Sequence, residues 1–62
     1  MIGKLNQEWH GVPAGTALEI IKTIISFGEP IHHCRRADGE NLPGPWGKGP
    51  TGCIATKFVD LD

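Results

Sequence analysis

The longest apolar stretch of the chain, residues 16–27, fits two secondary structures. Thr16 and Glu19 match a helix-capping box, the polar positions that follow fall on one helical stripe, and Gly28 stands where a helix would end. Against a helix, five of the six positions from 20 to 25 are β-branched, which favours a strand. A strand here requires a β-bulge or burial on both faces, because the apolar positions do not alternate strictly. Periodicity favours the helix and side-chain branching favours the strand.

Two neighbouring segments alternate in the manner of strands. After a chain reversal predicted at residues 26–29, residues 31–36 place alternate side chains on opposite faces. The dipeptide at 38–39, Asp followed by Gly, is typical of a tight turn. Residues 53–59 alternate again and form a further strand candidate. These neighbours favour the strand interpretation of the isoleucine-rich run.

The order of turns and apolar positions carries a family resemblance. The step Val12-Pro13-Ala14-Gly15-Thr16 leads into the isoleucine-rich run, residues 31–39 form a strand and turn, and residues 54–61 end in Val59-Asp60-Leu61 as a closing strand. This order resembles small SH3-like barrels. The resemblance implies an all-β fold, a small SH3-like barrel of about five short strands, in a single domain. The alternative is an α+β fold with one helix at 16–27 packed on a small antiparallel sheet.

The size of the chain limits what it can do. Sixty-two residues, 39% of them hydrophobic, leave room for one domain (1–62) with a thin core. This size excludes a two-domain enzyme and a fold that encloses a cofactor, and the sequence contains neither Gly-x-Ser-x-Gly nor His-Glu-x-x-His. We therefore expect a non-enzymatic protein without a cofactor.

Charge and hydropathy narrow the set of partners and compartments. The formal net charge of −1 disfavours nucleic-acid binding, which depends on neutralising phosphates. No segment approaches the roughly 20 apolar residues that span a bilayer, and no apolar signal region follows Lys4. The expectation is a cytoplasmic protein without a membrane segment. A chain of this size also resembles the accessory proteins of phages and other mobile elements.

Residues 39–52 form a Gly/Pro-rich loop in which eight of 14 positions are Gly or Pro. Such a density prevents a regular helix or a central strand. Because Leu42 and Trp46 are its only large apolar residues, we expect the loop to contribute little to folding and to serve function. Trp46, between Pro45 and Gly47, is predicted to contact a partner. The alternative is that Trp46 folds back over the core.

The basic residues near this loop complete the predicted partner-binding site. They favour contact with an acidic protein surface, although a solvated strand face is the simpler alternative. We therefore predict a small binding module that acts through protein–protein interaction, with nucleic-acid binding as the alternative. Exposed strand edges also allow pairing with a second copy, as a homodimer. The predicted partner-binding residues are Trp46, Arg35, Arg36, Lys48 and His33.

A weaker hypothesis is a zinc-stabilised microdomain that uses His32, Cys34 and Cys53, since zinc accepts these ligand types. The spacing does not favour it, because the sequence contains no Cys-x-x-Cys pair. We expect Cys34 to be a small core residue and the site to hold no metal. A disulfide between Cys34 and Cys53 is disfavoured by the reducing cytoplasm.

Overall fold

The computed structural model describes residues 1–44 and 47–61. Over these residues the fold is all-β, with five antiparallel strands in one sheet, which confirms the predicted fold class. A short 3-10 turn, Thr56–Phe58, joins the last two strands. The strands are β1 (Ile2–Leu5), β2 (Ala17–Ser26), β3 (Glu29–Arg36), β4 (Gly52–Ala55) and β5 (Val59–Leu61).

The isoleucine-rich run forms β2, and it contains the β-bulge that its irregular alternation requires. The register against β3 shifts between Ile20 and Lys22, so Ile21 is the extra residue. Before the bulge Leu18 and Ile20 point into the core. After it, Thr23 takes the inward position and Lys22 points outward.

The alternative with a helix at 16–27 is wrong, and the two capping residues have other partners. The Thr16 hydroxyl donates to the carbonyl oxygen of Pro13 at 2.7 Å, which stabilises the turn before β2. Glu19 accepts a hydrogen bond from Arg35 on the neighbouring strand. A capping-box pattern can therefore serve a turn and a cross-strand ion pair.

The strand order across the sheet is β4-β3-β2-β1-β5, so the first and last strands are neighbours. The prediction of one closing strand over residues 54–61 is wrong, because the 3-10 turn divides this segment into β4 and β5 at opposite edges. Among the described strands no ladder joins those two edges, and the sheet is open. β1 was not predicted, because four residues that include Gly3 carry a weak pattern.

The core includes one residue of the Gly/Pro-rich loop. Leu42 is fully buried, and its backbone forms a two-way bridge with Gly49, with N···O distances of 2.8 and 2.9 Å. The expectation that the loop contributes little to folding is therefore wrong at Leu42. Trp9 and Phe58 pack against the core from its margin. The buried apolar residues are Leu5, Val12, Leu18, Ile20, Cys34, Leu42, Ile54 and Val59.

Candidate functional site

A cleft of about 670 Å³ lies between the β1–β2 connection and the Gly/Pro-rich loop. The β1–β2 connection contributes Trp9 and His10 to its lining, and β3 contributes His33. The rest of the lining comes from residues 43–44 and from the segment 47–53, including the first residues of β4. The cleft is therefore assembled from three segments that are distant in sequence.

The side of the cleft formed by Trp9 and His10 is held by a tight turn. The backbones of Trp9 and Val12 exchange hydrogen bonds of 2.9 and 2.8 Å. The two residues between them, His10 and Gly11, have φ of 46° and 85°, as a type I′ hairpin turn requires. Val12 is buried, and the half-buried Trp9 packs against the core with its ring 4.7 Å from that of His10. These contacts fix both aromatic side chains at the cleft.

The loop side of the cleft is mostly backbone. Gly44, Gly47 and Gly49 line it, and the N–H of Gly47 donates to the carbonyl of Gly44 at 3.1 Å. Glycine lets a ligand approach the main chain closely because it has no side chain. The bridge to buried Leu42 anchors this segment, and Lys48 is an exposed ammonium group within it.

His33 is the most unusual polar group in the cleft. It is half-buried and lies opposite Cys53 in the β3–β4 ladder. Its Nδ1 atom is buried and has no hydrogen-bond partner among the described residues. A buried polar atom without a partner destabilises the fold, and such atoms in native proteins often have a functional reason.

The charges of the lining have one sign. Among its described residues the ionisable side chains other than the thiol are Lys48, His10 and His33, and there is no carboxylate. Lys48 carries a positive charge, and the two imidazoles carry no negative one. The cleft is therefore complementary to a negatively charged group beside an apolar one.

The two predicted arginines lie elsewhere, in a smaller groove of about 310 Å³. Arg35 forms an ion pair with Glu19 at 2.8 Å, and Arg36 forms one with Asp38 at 2.7 Å. The hydrogen bond from Arg36, followed by one from the backbone N–H of Glu40, holds the pKa of Asp38 below its usual range. Both guanidinium groups are therefore already paired with carboxylates.

The structure thus divides the predicted partner-binding residues. It brings His33 and Lys48 to the cleft and places Arg35 and Arg36 in the second groove. Trp46 lies outside the described residues. His33 and Lys48 therefore share one site, and the two arginines belong to a separate surface.

Sequence reasoning missed Trp9 and His10 as site residues. A signal was present, because His10-Gly11 between the apolar Trp9 and Val12 is compatible with a two-residue turn. The sequence does not reveal that this turn faces the Gly/Pro-rich loop, because that requires the sheet topology.

The three residues of the zinc hypothesis do not converge. His32 and Cys34 are buried on the core side of β3, and His32 Nδ1 is hydrogen-bonded to the Thr23 hydroxyl at 2.7 Å. Cys53 lies opposite His33, so it is on the other face of the sheet, and it is exposed. Within residues 1–44 and 47–61 no three His, Cys, Asp or Glu side chains are placed to hold a metal ion. Both cysteines are free thiols.

The two thiols are expected to differ in reactivity. Burial, and secondly the nearby Cys53, raise the pKa of Cys34 from its ordinary 9.0 to about 11. Iodoacetamide near pH 8 should therefore modify Cys53 in the folded protein and Cys34 only after unfolding, as mass spectrometry of the alkylated peptides would show. Equal rates of modification in the native protein would contradict this.

The raised pKa of Cys34 also makes stability depend on pH. The unfolded chain releases the Cys34 proton at lower pH than the folded chain does. The stabilising contribution of the protonated thiol is therefore complete below pH 9.0 and is lost as the pH rises to about 11. Urea unfolding across this range should show a steeper decline in the wild type than in a Cys34→Val variant, which has no thiol to titrate.

Comparison of the chain with protein-family models, with curated proteins and with solved structures found no match. Within its described part the chain has no helix with the length and apolar character needed to cross a membrane.

Proposed function

We propose that the protein is a small, non-enzymatic, SH3-like binding module that acts by holding a segment of a partner protein in the cleft. The observation that carries this proposal is the lining itself, which combines the indole of Trp9 and glycine backbone with Lys48 and two imidazoles, and has no carboxylate among its described residues. The segment that fits best has an apolar side chain next to an aspartate or glutamate.

The dimensions of the cleft favour a short segment over a folded surface. A volume of about 670 Å³ is within the range of sites that enclose small ligands or a few side chains. On the glycine-rich side no side chain of Gly44, Gly47 or Gly49 keeps a partner away from the main chain. A peptide satisfies both features, because it brings side chains and a main chain together.

The SH3-like assignment has its own support. Residues 12–16 lead directly into β2, as the resemblance implies for the entry step. The last strand, β5, is shorter than the closing strand that the resemblance implies, and it pairs with β1. The fold alone does not define a function. It does provide a sheet that carries the two connections lining the cleft.

Nucleic-acid binding has less support. The net charge is −1, and the guanidinium groups of Arg35 and Arg36 are paired with carboxylates, so they do not offer free cations to a phosphate backbone. Trp9 is half-buried and has the His10 ring against it at an interplanar angle of 90°, which reduces its use as a stacking surface for a base.

The proposal is tested by selecting ligands from a random peptide library displayed on phage. We expect the enriched peptides to combine an apolar residue with an adjacent acidic one. Titration calorimetry of one such peptide should show about tenfold weaker binding to a Lys48→Glu variant, because the charge at the cleft is reversed. Lys57→Glu is the matched control, an exposed lysine outside the cleft, and should bind within about twofold of wild type.

Two results would count against this function. One is a selection that enriches no peptide, or peptides whose affinity the Lys48→Glu variant leaves unchanged. The other is tight binding of a single-stranded oligonucleotide with a steep loss of affinity between about 50 and 200 mM salt, which would support the nucleic-acid alternative.

A further inference from the structure

The hairpin of β2 and β3 extends beyond the strands on either side of it. We call its outer part, residues 21–30, the arm. Every residue of the arm is exposed except Ser26, which is half-buried. β1 pairs with β2 only as far as Glu19, and β4 pairs with β3 only from Ile31 onward, so neither strand covers the arm.

The arm presents large apolar side chains to solvent. Ile25 is 72% exposed, and Ile21 and Ile24 are 48% and 39% exposed. Phe27 at the tip is fully exposed, and its φ of 51° is in the left-handed region, which a bulky side chain rarely adopts. Phe27 and Gly28, with φ of 51° and 80°, are the two residues of the turn that joins β2 to β3, and the exposed isoleucines are distributed over both faces of the arm. Several large apolar residues exposed together are typical of an interaction surface.

The two edges of the arm, one on β2 and one on β3, differ in their capacity to pair with a further strand. Pro30 has no N–H, so the Ile25–Pro30 pair is a non-hydrogen-bonded pair of the β2–β3 ladder. By alternation the Thr23–His32 pair is also non-hydrogen-bonded. The backbone groups of Thr23 and Ile25 therefore point away from β3, toward the outer side of β2, whereas Pro30 blocks a strand from adding beside it on β3.

The outer side of β2 has no partner strand along the arm. Coverage ends at Ile20, whose N–H donates to the carbonyl of Met1 at 2.7 Å. Beyond this point no strand within residues 1–44 and 47–61 pairs with β2 on that side. The free edge thus combines unpaired backbone groups with apolar side chains.

We propose that this edge pairs with the same edge of a second copy, antiparallel, so that β2 of the two molecules forms one continuous sheet. The register that pairs the most free backbone groups places Thr23 of each copy opposite Ile25 of the other, with the two Ile24 residues meeting at the two-fold axis. In this register Ile21 lies opposite Phe27 of the other copy, and Lys22 lies opposite Ser26. This proposal is independent of the function of the cleft.

A second copy fits this edge better than an unrelated protein does. A two-fold interface requires a surface that complements itself, and an antiparallel strand edge has this property. No like charges meet, because the charged residues of the arm are Lys22 and Glu29. A stable dimer requires about 600 Å² from each copy, roughly 15% of the 4092 Å² surface, and an arm of ten largely exposed residues can supply much of it.

Disulfide trapping tests the register. In a Cys53→Ser background, Ile24→Cys places two thiols at the two-fold axis, and we expect air oxidation to link the chains. Lys22→Cys is the matched control on the same face. Its two copies would be about 13 Å apart along the strands, so we expect its linkage to be at least about tenfold slower. Equal rates at the two positions would overturn the proposed register.

Sedimentation equilibrium tests the interface itself. The wild type should form dimers of its 6.7 kDa chain. Ile25→Pro should be monomeric, because it removes an N–H that faces the free edge and leaves the β2–β3 ladder intact, whereas Ile25→Val should remain dimeric. A monomeric wild type over the accessible concentration range, or a dimeric Ile25→Pro, would overturn the proposal. If Ile25→Pro does not fold, the wild-type mass and the trapping rates still decide.

Discussion

Replacing Leu42 with alanine is expected to lower the free energy of unfolding by about 2–5 kcal/mol, the largest effect that we predict for a single substitution. Leu42 is fully buried, although it lies in a loop made mostly of Gly and Pro. Its removal leaves a cavity between the loop and the sheet. Stability of about 0.05–0.15 kcal/mol per residue gives a domain of this size about 3–9 kcal/mol, so the substitution should remove a large part of the free energy of unfolding.

Urea unfolding followed by circular dichroism measures this effect, with Leu61→Ala as the matched control. Leu61 lies on β5 and is 47% exposed, so the same chemical change there should cost less than about 1 kcal/mol. If the two variants have similar midpoints, the Leu42 side chain does not belong to the core. The same result would also contradict the described geometry of the cleft, because the Leu42–Gly49 bridge anchors one of its sides.

Replacing Gly3 with alanine is expected to destabilise the protein by about 1–3 kcal/mol. A Cβ atom at Gly3 would be 2.7 Å from Val59 Cγ1 and 3.1 Å from the carbonyl oxygen of Asp60. The second contact is with backbone, so rotation of a side chain cannot relieve it. β5 has three residues and pairs with β1, and it is the element that must move.

Thermal unfolding provides the measurement for Gly3→Ala, and Gly49→Ala provides the control. A Cβ atom at Gly49 meets its nearest neighbour at 4.0 Å, which is ordinary contact, so that variant should unfold close to the wild-type temperature. A Gly3→Ala protein as stable as the control would mean that β1 and β5 are not as closely packed as described.

The fold class could be predicted because side-chain branching is a local property. Consecutive β-branched residues lose rotamer freedom in a helix and pack well in a sheet, and this preference outweighed the helical spacing of the polar residues in β2. The irregular alternation predicted a bulge or burial on both faces, and the structure has the bulge, between Ile20 and Lys22. The division of residues 54–61 was not predicted, although the apolar positions change parity there, from Ile54 and Phe58 to Val59 and Leu61.

The site was less predictable, because it depends on contacts between distant parts of the chain. Arg35 appeared free in the sequence, but the β2–β3 register brings Glu19 beside it. Leu42 stands among glycine and proline residues in the sequence and was not expected to contribute to the core, but its side chain is fully buried. The cleft required the β1–β2 turn and the Gly/Pro-rich loop to lie at the same end of the sheet, which follows from strand order and not from local composition.

The bulge at Ile21 determines which side chains of the following part of β2 face the core and which face solvent. If Ile21 paired with His33 in a regular ladder, Lys22 would stand opposite the buried His32, and Thr23 would point outward. The bulge shifts the inside–outside parity of the strand by one, which keeps an ammonium group in water and brings the Thr23 hydroxyl to the imidazole. Deletion of Ile21 would therefore leave the pairing and the two faces of the arm unchanged, whereas deletion of Ile21 together with Lys22 would exchange the faces of the entire arm.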